Sequence, residues 1–309
     1  MRNRNRSVWS AGTLRILTGI TAAAFVGSGG SLRASVYVPH AASLTSAVGG
    51  AYDSTNWSGY ADTASAGYAF NSISATWTQP AVTTQSSSSY VASSFWVGLD
   101  GFNSNTVEQT GTQAVVQSNG QVQYTAWYEL YPQVEIPVFN VSPGDKISAS
   151  VAFNAAADNY TFNISDLTSN QNYSITTVTS STSTAARSSA EWIVESPEFG
   201  TSSGSYQLAT LANYGSFTFS SALAGIGGSV LNQTGSITGV AADNAATVNS
   251  ITLVDGKTFQ PLSTPDALVG NGSSFTSTYT PEPTSIALLG ISALSLVIRK
   301  RRRRPALRG

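Results

Sequence analysis

The stretch SAEWIVES, Ser189–Ser196, sets a glutamate on each side of Trp-Ile-Val. In an extended strand side chains alternate between faces, so Glu191, Ile193 and Glu195 point one way and Trp192 and Val194 the other. Two carboxylates on one strand face can supply general acid–base chemistry, or one of them can be a plain surface charge. Comparable combinations occur upstream. In Ser94–Gly101, Trp96 and Asp100 lie opposite Phe95, Val97 and Leu99. In Tyr124–Tyr131, Trp127, Glu129 and Tyr131 share one side, and Tyr128 and Leu130 the other. In Val107–Val115, Gln109 lies with Val107, Gly111 and Gln113. Three strands thus each have a face that sets rings beside an acid or an amide. A core face does not tolerate acids without partners, and a wet outer face has no use for so many tryptophans. A concave groove accounts for both, because peptides and sugars fit aromatic walls with a few directional polar groups.

The elements that must position these residues are strands. From Ser54 to Thr280 the chain is rich in Ser, Thr, Gly and Asn, with short alternating runs such as QVQYTAWYELY, KISASVAF and YTFNISDL. Many short strands without amphipathic helices predict an all-β sandwich or barrel. Pro143-Gly144-Asp145 and Ser118-Asn119-Gly120 mark turns, the second a hairpin. A single domain of about 220 residues is ordinary for this class.

Composition narrows the chemistry. Among 309 residues there is no cysteine and one histidine, His40, in the weakly patterned N-terminal region. That removes disulfides, thiolate sites and a cysteine nucleophile, and leaves the domain without a Ser–His or His–metal site. No metal and no cofactor is expected. Hydrolysis here must rest on carboxylates, amides, hydroxyls or the few lysines. Between Ala34 and Pro281 three cations face 15 acids, a formal charge of −12, so binding of nucleic acid by counterion release is not expected. The domain should be a soluble monomer that repels itself less once its carboxylates are protonated.

The cations gather in the tails. Residues 1–34 open with Arg2, Arg4 and Arg6, followed by the apolar run Ile16–Val26 and a Gly/Ser-rich stretch, the pattern of a secretory signal peptide. Residues 35–53 then read as a short linker or vestigial propeptide. At the other end, Pro281-Glu282-Pro283 precedes an apolar segment, Thr284–Ile298, and the basic cluster Arg299–Arg304. Residues 281–309 resemble the PEP-CTERM sorting signal of Gram-negative bacteria. That resemblance implies an exosortase-like sorting enzyme as partner and a secreted or cell-surface location, with transient anchoring in the membrane through the tail.

Six motifs of the domain, NWSGY (Asn56–Tyr60), WVGLDG (Trp96–Gly101), EQTG (Glu108–Gly111), AWYELYP (Ala126–Pro132), SPGD (Ser142–Asp145) and AEWIVE (Ala190–Glu195), resemble in content and order those of the glutamic peptidases, or eqolisins. The resemblance spans Ser54 to Thr280. It implies a concanavalin A-like sandwich of two antiparallel sheets and an endopeptidase active in acid on polypeptide substrates. Its catalytic pair falls on Gln109 and Glu195, which leaves Glu191 as a structural or rim acid. The chain departs from the family in Leu130, where fungal members tend to have tryptophan, and in its lack of cysteines. Only about 20 residues lie between the signal and Asn56, which puts the family's propeptide mechanism in question for this chain.

The implied pair suits the chemistry. Amide hydrolysis needs an activated water, an acid for the leaving nitrogen and a donor for the tetrahedral oxyanion. Glu195 would serve as base and then acid. The Gln109 NH₂ would donate to the oxyanion while its carbonyl holds the water, and an amide keeps its form in acid. Asp100 and Glu129, near Glu195, would tune it by repulsion and hydrogen bonding. Trp96, Trp127 and Tyr128 are candidates for substrate walls or supporting packing. The alternative is a carbohydrate-active or carbohydrate-binding sandwich, with Glu129 and Glu195 as the two carboxylates and Gln109 dispensable.

Overall fold

A computed structural model describes residues 37–38, 42–48, 50–83, 90–177, 185–200, 205–228 and 232–281. The signal-peptide and sorting-signal readings, apart from Pro281, fall outside these residues, as does His40. The strands in chain order begin with β1 (Tyr37–Val38), β2 (Leu44–Val48), β3 (Ala51–Ser54), β4 (Trp57–Ala64), β5 (Tyr68–Thr78) and β6 (Val91–Leu99). Next come β7 (Val107–Val116), β8 (Val122–Tyr131), β9 (Ile136–Asn140), β10 (Lys146–Asn154), β11 (Asn159–Asp166) and β12 (Gln171–Thr177). They continue with β13 (Ser189–Glu195), β14 (Glu198–Gly200), β15 (Tyr206–Leu208), β16 (Thr210–Leu211) and β17 (Ser216–Gly228). Last are β18 (Asn232–Ser236), β19 (Ala246–Val254), β20 (Pro261–Pro265) and β21 (Phe275–Tyr279). One four-residue helix, α1 (Ile237–Val240), starts on the Ser236 side chain as its cap.

The chain is all-β, as expected, and its strands form a β-sandwich. Seven strands of the larger sheet run β9-β8-β7-β6-β13-β4-β19, each antiparallel to the next. The facing sheet runs β12-β11-β10-β5-β17-β18. β17 belongs to both: Ser216–Phe219 pair with β21, and the strand passes to β5 across a register shift at Ser221, whose φ is +50°. The hairpin expected at Ser118-Asn119-Gly120 joins β7 to β8. Gly120 takes φ +80° there, and Asn119 Oδ1 accepts from the Gln121 amide.

Alternation builds the core. Phe95, Val97, Tyr128, Leu130, Trp192 and Val194 from the larger sheet meet Ile147, Val151, Tyr160 and Phe162 from the smaller one. β6, β7 and β13 are buried along nearly their whole length, on both faces. Their second face does not open to water. It carries a separate cluster of Trp57, Ala61, Trp96, Phe102, Val107, Trp127, Ile193 and Ile251, against which Ala42, Tyr52 and Tyr131 pack.

The sheet begins before Ser54. β2 pairs with β3, and β3 runs parallel to β19, so Leu44–Val48 and Ala51–Ser54 are strands where a linker was expected through residue 53. Val48 pairs with Ala51 across that hairpin. Gly50 has φ +83°.

Candidate active site

Strand register lays the polar residues of the second face in rows. One row reads Glu129–Gln109–Gly98–Glu191–Ala61 across β8, β7, β6, β13 and β4. The next reads Trp127–Gly111–Trp96–Ile193–Gly59, and the third Thr125–Gln113–Ser94–Glu195–Trp57. The middle row leaves space for one large ring. A Cβ on Gly111 would stand 2.2 Å from the Phe95 carbonyl oxygen and 2.5 Å from Trp96 Cβ. A Cβ on Gly98 would stand 3.0 Å from Cζ3 of the Trp96 ring and 2.9 Å from Gln109 Cβ. The Trp96 indole therefore lies along the strand from Gly98 towards Glu195, held edge-on by Trp57 at 4.9 Å between centroids.

That indole carries a hydrogen bond into the site. Trp96 Nε1 donates to Glu195 Oε2 at 2.7 Å. Gln109 Nε2 donates to Glu129 Oε2 at 2.6 Å. Gln113 Nε2 donates to Oε1 of Glu135, from the segment between β8 and β9. Gln109, Glu129 and Glu195 have no exposed surface at all. Burial pushes Glu129 well above the usual carboxylate range, and the charges of Glu135 and Glu195 add to the rise while the Gln109 bond opposes it. Burial likewise raises Glu135, to about 8, against the Gln113 bond. Each is a carboxyl that stays protonated in acid. Glu195, Glu129, Glu135, Gln109 and Gln113 thus form one cluster of three acids and two amides. Among the described residues no group of three or more His, Asp or Glu side chains is arranged to hold a metal.

The expected residues divide. Gln109, Glu129, Trp96 and Trp127 share the Glu195 face. The tryptophans are not open walls, however: both are fully buried and serve as packing under the polar groups. Tyr128 is on the other face, in the inter-sheet core against Phe162 and Tyr173. Its phenol is one residue from Glu129, and alternation sends it away from the site.

Asp100 belongs to the opposite end of β13. There its carboxylate accepts from the Arg187 and Ser188 amides at 2.7 and 2.8 Å and from Ser188 Oγ at 3.0 Å. It adds to the rise of Glu108, which burial drives to about 9, and to that of Glu191, which burial also drives up. Glu191 is therefore not a rim acid. It has no exposed surface, and neither oxygen makes a hydrogen bond of normal geometry, although Ser189 and the Phe102 amide lie close enough to oppose the shift.

Gln113 and Glu135 were not among the expected site residues. Gln113 stands four residues after Gln109 on the same alternating face, a signal present in the sequence. Glu135 lies outside the alternating runs and had none. A cavity of about 520 Å³ elsewhere, lined by Trp77, Pro80, Lys146, Leu167, Phe217 and Thr218 among others, contains no acid–base pair.

Residues 55–260 match the model of the peptidase A4 family. The chain belongs to that family. Over 148 residues it is 34% identical to aspergillopepsin-2 of Aspergillus niger, a match covering 47% of this chain and 50% of that protein. It is 32% identical over 138 residues to scytalidopepsin B of Scytalidium lignicola, covering 44% and 50%. The chain thus spans about half the length of the curated relatives it matches. As a peptidase A4 member it also shares its fold with scytalido-glutamic peptidase solved with a peptide-based transition state analog. That structure has a TM-score of 0.56 at 23% identity, over 73% of this chain and 98% of the other. A second solved structure, in complex with the tripeptide Ala-Ile-His, aligns equally well at 22% identity.

Proposed function

We propose that this chain is a glutamic endopeptidase that cleaves polypeptides in acid, on a concanavalin A-like pair of sheets. The observation that carries the reading is the Glu195 carboxylate, fixed by Trp96 Nε1 on the face where a second acid fixes the Gln109 carboxamide. Glu195 takes a proton from water, the water attacks the carbonyl carbon, and Glu195 returns the proton to the leaving nitrogen. The Gln109 NH₂ has two hydrogens. One is engaged by Glu129, and the other is left for the oxyanion. Gln109 Oε1, buried and without a partner, is the acceptor that orients the water. Glu129, kept neutral by burial, holds the amide in place without adding a negative charge beside the developing oxyanion. Substrate groups replace water over polar groups packed on buried indoles, which strengthens each of these interactions.

The tail that follows the domain is, in this reading, a removable address recognised by an exosortase-like enzyme, and the mature protein is secreted or held at the cell surface. The support is Pro281-Glu282-Pro283 ahead of an apolar segment and Arg299–Arg304.

The test is digestion of casein by the purified chain at about pH 3 and about pH 7. Cleavage confined to the acid sample supports the proposal. No cleavage at either pH, or cleavage of a polysaccharide in its place, removes it.

A further inference from the structure

The Gln113–Glu135 pair is not used by the hydrolytic steps above, yet it repeats the construction of the Gln109–Glu129 pair. Both amides sit on the same face of β7, four residues apart, with Gly111 between them. Each donates its NH₂ to a carboxyl group from the β8 side of the sheet. Each pair also leaves one amide oxygen and one carboxyl oxygen buried without a partner: Gln109 Oε1 with Glu129 Oε1, and Gln113 Oε1 with Glu135 Oε2. Gln113 is only 5% exposed. Glu135 is half-buried as a residue, but its Oε2 is enclosed. More than nine in ten buried polar groups in folded proteins are hydrogen-bonded, so two orphaned pairs on one face point to a ligand that completes them. A neutral acid offers an O–H and an amide offers a C=O, which together match the C=O and N–H of one residue of an extended chain, since these face the same edge.

We propose that Gln113 and Glu135 form a second main-chain docking pair, which binds the C=O and N–H of one residue of an extended polypeptide substrate beside the bond being cut. Four residues of strand span roughly 13 Å. One residue cannot satisfy both pairs, so the two address different residues of the same substrate. Gln113 also stands in the row of Glu195, across Ser94, which places the second residue alongside the general base. The inference rests on the peptidase reading for its substrate class.

The docking pair needs Glu135 to carry its proton, so binding weakens as pH rises. Glu135 owes its raised value to burial, against the bond from Gln113. The titratable group set against it is Glu129 on β8, whose own value the Glu135 charge raises.

Two variants test the inference with an internally quenched peptide drawn from casein. Glu135→Ala loses the donor and should raise KM about tenfold in acid, with kcat nearly unchanged. Glu135→Gln keeps a donor at every pH. Its KM should stay flat as pH rises, where that of the wild type climbs. The same peptide, labelled with fluorescein, is also titrated by anisotropy into the Glu195→Gln chain with and without Glu135→Ala. This arm reads binding even if the chain cleaves nothing, so loss of the peptidase reading and loss of the docking pair are told apart. Weaker binding with Glu135→Ala supports the pair. Unchanged binding, or a Glu135→Gln KM that follows the wild type through the pH series, overturns it.

Discussion

Glu191 and Glu195 stand four residues apart on one face of β13, both without exposed surface, and their surroundings differ in kind. The neighbours of Glu195 are an indole N–H that donates to it and Glu129, an acid tied to the Gln109 carboxamide. Around Glu191 they are acids and hydroxyls: Asp100, Glu108 and Ser189, with Tyr160 beside Glu108. Indoles and amides do not titrate in water's range, so they can hold an ionised carboxylate or a neutral one and keep their own form. Acids gathered in a dry site settle the matter by staying protonated. A group in that state cannot act as a base, which makes the Glu191 end a structural acid cluster and the Glu195 end a reactive one.

The largest expected effect breaks the amide side of that contrast. Gln109→Ala should lower kcat by about 10²–10³, the usual loss for an oxyanion donor, with the circular dichroism spectrum retained. An activity within a few-fold of wild type would show that the amide is ornamental and would favour a two-carboxylate site.

The packing side comes next. Gly111→Ala puts a Cβ 2.2 Å from the Phe95 carbonyl oxygen and 2.5 Å from Trp96 Cβ. It should destabilise by about 1–3 kcal/mol, as overpacking does, and displace the indole that holds Glu195. Urea unfolding and peptide cleavage should fall together.

The two ends agree in their pH dependence. Asp62, Asp100, Glu108, Glu129, Glu135 and Glu191 all bind their protons more tightly folded than unfolded. Their contribution to stability is therefore complete below the ordinary values, 3.8 for the aspartates and 4.5 for the glutamates. It is lost as pH climbs towards about 8 for Glu135 and about 9 for Glu108. Asp166 and Asp255, lowered by hydroxyl and amide donors, work the other way. Asp255 is partly exposed, where screening keeps the effect small, and Asp166, although only 1% exposed, stands with it against six raised acids. Urea midpoints should be highest in acid and fall steadily towards neutral and alkaline pH.

The smallest effect concerns the face assignment. Tyr128→Phe removes a hydroxyl from the inter-sheet core and should cost about 1 kcal/mol or less, with kcat/KM unchanged.

Much of this site was legible in the sequence because strand alternation is fixed by covalent geometry. It placed Trp96, Gln109, Gln113, Trp127, Glu129 and Glu195 on faces that prove to be one face. Alternation fails where the strand stops. Asp100 follows the last residue of β6 and takes φ +67°, which turns it to the Arg187 and Ser188 amides. Tyr128 was included for its ring although its own alternation excluded it. Glu135 comes from a connection without periodicity, and only the folded chain brings it to Gln113. Strand order was equally hidden. Nothing in AEWIVE says that β13 lies between β6 and β4, and that neighbourhood is what gives Glu195 its indole and Glu191 its fellow acids.

The most direct measurement compares Glu195→Gln with Glu191→Gln, each assayed on the quenched peptide in acid and unfolded in urea at about pH 7. The expected result is that Glu195→Gln loses activity by at least about 10². Glu191→Gln should keep it within about threefold and unfold at a higher urea concentration than wild type, because a neutral isostere spares the proton that Glu191 must take up on folding at that pH. Equal loss of activity in the two variants, or activity retained by Glu195→Gln, would contradict the assignment of one reactive end and one structural end to β13.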